Sequence, residues 1–95
     1  MKIPHIKDYP KKIYLKEAVY KIKFVKNLEN LGETDPDKRE IRIRKGMSRN
    51  ETFRTMIHEV LHFMEFEWPF EIPHKTVYKL EEAIFCFLID NLFHR

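Results

Sequence analysis

Two histidines four residues apart, with a glutamate directly after the first, stand out in this chain: His58-Glu59-Val60-Leu61-His62. On an α-helix, residues four apart lie about one turn apart on one face. The imidazoles of His58 and His62 can therefore point at a single metal ion. Glu59 falls about 100° round the helix, in reach of a water on that metal without being a ligand. This spacing suits hydrolysis, with a metal to activate water and a carboxylate to take its proton. The plain alternative is a pair of partly exposed helix histidines with no metal.

A catalytic zinc site normally has three protein ligands. Directly after His62 the chain reads Phe63-Met64-Glu65-Phe66-Glu67-Trp68, without the Gly and third His of the extended motif. The third ligand is therefore sought downstream, among His74, Glu81, Glu82 and Asp90. On a wheel of about 100° per residue, Glu81 lies within about 60° of Val77, Ile84, Phe85, Leu88 and Leu92, inside an apolar stripe. A carboxylate there is costly unless something pairs with it, and a metal ion does so. Glu82 lies about 100° further round. His74, seven residues before Glu81, shares its face and reads as a helix cap, an alternative ligand or an oxyanion stabiliser. Tyr78, about 60° off, is a weaker candidate for hydrogen bonding to a transition state.

The elements that must position these groups are legible in outline. Ser48 and Glu51 form a capping box, so a helix is expected from about Arg49 to about Glu65. Its apolar face is Phe53, Met56, Ile57, Val60, Leu61 and Met64. A second helix should run from His74 or Lys75 to about Asn91, after the break at Pro69 and Pro73. Upstream, residues 12–16, 19–26 and 39–44 read as strands, with Tyr20, Ile22 and Phe24 alternating with Lys21 and Lys23. Residues 27–38 read as loop and residues 1–10 as an irregular arm. Alternating charges in Arg39–Arg44 suit an edge strand, open to an added substrate strand. The expected architecture is α+β: a small three-stranded antiparallel sheet with two packed C-terminal helices.

Composition sets the frame. Ninety-five residues make one domain, residues 1–95, whose eight Phe help build a core in a short chain. Net charge is +3, with lysines spread along the strands, which reads as a solvated face and not a nucleic-acid surface. No apolar run approaches the ~18 residues of a membrane span, and no signal-peptide pattern opens the chain. The lone Cys86 suits a reducing compartment and reads as a buried small hydrophobe. A soluble, cytoplasmic protein is expected, with no nucleic-acid or membrane partner and an oligomeric state left open.

On these residues the chain resembles a known family. The stretch from Asp35 to Arg44, the helix from Ser48 to His62, and the segment from His74 through Leu80-Glu81-Glu82-Ala83-Ile84 to Asn91 are similar to the minimal gluzincin-like metallopeptidases, the minigluzincins. The resemblance implies a zincin-like minimal core with one zinc ion held by His58, His62 and a glutamate of the following helix. The short relatives' Leu-Glu pattern selects Glu81; the Glu-Ala-Ile pattern of larger gluzincins selects Glu82. It further implies hydrolysis of peptide or protein substrates, with Glu59 as general base. The resemblance implies a bare catalytic core, without the C-terminal subdomain that builds much of the cleft in large gluzincins. Latency, with the tail Leu92-Phe93-His94-Arg95 lying in the cleft, is one expectation. A zinc-stabilised regulatory or binding module with little activity is the other reading.

Overall fold

The computed structural model describes residues 2–68 and 70–92. Strands β1 (Lys12–Leu15), β2 (Ala18–Val25), β3 (Gly32–Asp35) and β4 (Glu40–Arg44) precede helices α1 (Arg49–Glu67) and α2 (His74–Asn91). The sheet has the order β1-β2-β4-β3. Its β1–β2 and β3–β4 pairs are antiparallel, but β2 and β4 run parallel, with Ile22 opposite Ile41 and Phe24 opposite Ile43. The α+β class and both helices are as expected. The sheet is not: it has four strands and mixed pairing.

Two physical reasons account for the difference. Gly32-Glu33-Thr34-Asp35 has no apolar alternation, so nothing local marks it as a strand. It is held by its ladder to β4, and the turn that follows is set by Asp35, whose Oδ1 accepts from the N–H groups of Asp37 and Lys38. The charges of β4 were the second false signal, because β4 is not an edge. It lies between β2 and β3, and its outward charges are paired across the sheet. The Arg42 guanidinium bonds Glu33, Asp35 and Glu40, and Lys23 bonds Glu40 at 2.9 Å.

The inward rows build two cores on either side of α1. Tyr20, Ile22, Ile41 and Ile43 of the sheet meet Met56 and Phe63, with the rings of Tyr20 and Phe63 4.4 Å apart. Phe53, Ile57 and Leu61 meet Val77 and Phe85 of α2. Helix α1 is thus wrapped on two sides, which brings Phe63 into the core and leaves Met64 exposed, against the single apolar face expected. The Ser48 hydroxyl accepts from the Glu51 N–H and caps α1, but the Glu51 carboxylate lies against that hydroxyl and not the Ser48 N–H, so the cap forms without the reciprocal half of the expected box. The N-terminal arm contains one 3-10 turn, Ile6–Asp8, and it packs: Ile3 and Tyr9 rest against the α1–α2 core. Cys86 is exposed on the outer face of α2, a correction to the buried thiol read from its apolar neighbours. Residues 93–95 of the tail assigned to latency lie outside the described residues.

Candidate metal centre

Helix α1 turns His58 and His62 to the same side, with their Nε2 atoms 3.2 Å apart. Two corners of a zinc tetrahedron with Zn–N bonds of about 2.0–2.1 Å are separated by about 3.3 Å. The other nitrogen of each ring lies against a carboxylate: His58 Nδ1 is 2.9 Å from Glu81 Oε1, and His62 Nδ1 is 2.8 Å from Glu65 Oε1. A neutral imidazole that donates from Nδ1 to a carboxylate carries its lone pair on Nε2. Both lone pairs then face each other across 3.2 Å, an arrangement that a proton or a cation between them relieves. Two imidazoles form a donor set suited to zinc, and each has on Nδ1 the carboxylate partner that metal-bound histidines commonly have. Among the described residues no group of three or more His, Cys, Asp or Glu converges on one point. The residues therefore fit zinc at two positions, with Glu81 adjacent.

Glu59 sits behind this pair and is 6% exposed. Strand β3 lies directly over it. The Thr34 hydroxyl is 2.7 Å from Glu59 Oε1 and 3.0 Å from the Glu59 main-chain oxygen, and can donate its one proton to either. Burial pushes the Glu59 carboxyl above the usual range, opposed by the Thr34 hydrogen bond and by His58 and His62 in their protonated forms. The approach of β3 requires a glycine. A Cβ on Gly32 would stand 2.8 Å from Thr55 Cγ2 and 2.9 Å from Glu59 Cγ.

Helix α2 brings the remaining groups. Its first residue is His74, with Pro73 at the N-cap and no side-chain cap, so His74 is not the capping residue. The His74 ring lies 5.6 Å from that of His62, and the Tyr78 ring 5.0 Å from that of His58. Both are exposed at the mouth of a cavity of about 480 Å³. His58, Glu59, His62, Glu81 and Gly32 also line it. Glu82 is exposed and does not line it.

Three residues at the site escape sequence reasoning: Gly32, Thr34 and Glu65. Gly32 and Thr34 belong to the strand read as loop. Glu65 did carry a signal, standing three residues after His62 and so on its face of the helix. Its carboxyl is held below the usual range, first by the Ile72 N–H and also by His62. Comparison with protein-family models, curated proteins and solved structures gives no match to this chain.

Proposed function

We propose that this chain is a zinc-dependent metallopeptidase of gluzincin-like type. The observation that carries the reading is the His58–His62 pair, Nε2 to Nε2 at 3.2 Å with a carboxylate on each Nδ1, beside buried Glu59 in one cavity. The pair would hold the ion; Glu81 of α2, which in this structure lies on Nδ1 of His58, would become the third ligand by turning its carboxylate towards the ion. Zinc, when bound, supplies Lewis acidity that activates water and polarises a carbonyl. Glu59 takes the proton of the attacking water and delivers it to the leaving amine, a role favoured by the burial that raises its carboxyl above the usual range. His74 and Tyr78 at the cavity mouth donate hydrogen bonds to the developing oxyanion. The free edge of β3, not β4, is the place for an extended peptide to add as a strand.

One observation favours a second reading. Glu59 is hydrogen-bonded to Thr34 and nearly inaccessible, which suits a zinc-stabilised binding module with little turnover. In that case chelation lowers the melting temperature while no peptide is cleaved. Among the described residues no helix is long and apolar enough to cross a membrane. The free thiol of Cys86 suits a reducing compartment, and we place the protein in the cytoplasm.

The deciding experiment is elemental analysis of wild type, Glu81→Ala and Glu82→Ala. About one zinc per chain in wild type is expected, weakened in Glu81→Ala and retained in Glu82→Ala. The reverse pattern moves the third ligand to Glu82. No zinc in any of the three after reconstitution overturns the metallopeptidase reading.

A further inference from the structure

Glu65 stands where a carboxylate is disfavoured. It lies two residues from the end of α1, whose last turn has no basic residue. The negative pole of the helix repels an acid there. Both of its oxygens are nonetheless engaged: Oε1 with His62 Nδ1 at 2.8 Å, and Oε2 with the Ile72 N–H at 2.8 Å. Ile72 belongs to the segment between the helices, two residues before the first residue of α2. One side chain therefore fastens an imidazole of α1 to the entry of the helix that carries His74, Tyr78 and Glu81.

We infer that Glu65 is a positioning residue with two tasks: it fixes the tautomer of His62 so that Nε2 keeps its lone pair, and it ties that ring to the segment that starts α2. The metal-free arrangement supports the first task, since Glu81, before it turns to any metal, makes the same contact with Nδ1 of His58. The engaged Ile72 N–H supports the second. A carboxylate can only accept hydrogen bonds, so it holds the proton of His62 on Nδ1. A glutamine at the same place separates the tasks. Its amide oxygen still accepts from Ile72, while its NH₂ donates to Nδ1 and moves the ring proton to Nε2, where it blocks a metal.

The consequence for metal affinity rests on the zinc reading; the tautomer does not. The experiment uses the metal-free full chain in wild-type and Glu65→Gln forms, followed by ¹⁵N NMR of the histidine rings above their titration range. Loss of one set of signals in His62→Gln assigns the ring. Wild type is expected to show the Nδ1–H form of His62 and Glu65→Gln the Nε2–H form, with melting temperatures within about 2 °C. Zinc affinity, read by competition with a chromophoric chelator, should weaken about 10–100-fold in Glu65→Gln. An Nε2–H tautomer in wild type overturns the inference. So does a tautomer unchanged by the substitution, or a zinc affinity equal in both forms. If wild type takes up no zinc, the metallopeptidase reading fails, and the tautomer measurement alone decides the role of Glu65.

Discussion

Both helices line the cavity, and they are held very differently. Helix α1 buries eight residues, among them Met56 and Phe63 against the sheet and Phe53, Ile57 and Leu61 against α2, and it starts at a side-chain cap. Helix α2 buries only Val77 and Phe85, has no side-chain cap, and exposes Tyr78, Leu80 and Phe87. His58, Glu59 and His62 therefore ride an element supported on two sides, whereas His74, Tyr78 and Glu81 ride one supported on a single side. Opening is easiest where few apolar contacts must break. The half of the site that carries His58, Glu59 and His62 is preorganised, and the half that carries His74, Tyr78 and Glu81 can adjust.

Substitutions at chemically active groups test this contrast most severely. Glu59→Gln should lower turnover by about 10²–10⁴-fold while zinc stays bound, because the amide cannot take a proton. Tyr78→Phe, on the exposed side, should cost less than about 10²-fold. Steady-state kinetics on one cleaved peptide compare the two, and equal losses would break the contrast between fixed and adjustable halves. Loss of zinc from Glu59→Gln would show that its role is misassigned.

Packing substitutions come next. Gly32→Ala places a methyl against Thr55 and Glu59, both buried on α1, which cannot easily give way. A loss of about 1–3 kcal/mol is expected in urea unfolding, with turnover falling as well. Val77→Ala should cost about 1–3 kcal/mol, and hydrogen exchange should then quicken along α2 before α1. Uniform quickening of both helices would mean that they open as one unit. Removing the α1 cap by Ser48→Ala should cost about 1 kcal/mol, readable as a shift of the urea midpoint at constant slope.

The smallest effect concerns the sheet's outer face. The Lys38 N–H, foremost, and Arg42 hold Asp35 below the usual carboxylate range; Lys23, foremost, and Arg42 do the same for Glu40. For groups depressed in the folded state, the stabilisation is complete above the unfolded pKa of about 4 and is lost as pH falls through the folded values. Acid titration of wild type against Arg42→Met should therefore show a wild-type advantage at neutral pH that shrinks below about pH 4. Because these charges lie on the sheet's outer face and are only part-buried, added salt should shrink it too.

How much of this was written in the chain can be judged residue by residue. The spacing of His58, Glu59 and His62, the Ser48 cap and the bounds of α2 follow from local rules, because helical periodicity and capping join residues three and four apart. The placement of Glu81 on the inner side of α2 and of Glu82 outside follows from the same periodicity. Strands β1, β2 and β4 are legible through alternation. The strand order, the parallel β2–β4 pair and β3 itself are not, since pairing joins residues distant in sequence and a short polar edge strand leaves no periodic trace. Nor could Met64 and Phe63 be sorted, because a helix packed on two sides has no single apolar face. Cys86 was misjudged for the complementary reason: apolar neighbours in sequence do not bury a residue unless another element covers it. What the tertiary structure alone decided is what bears on Glu59. Thr34 and Gly32 reach it only because the β3–β4 hairpin lays its free-edge strand across α1, and no local pattern specifies which strand a buried carboxylate will meet.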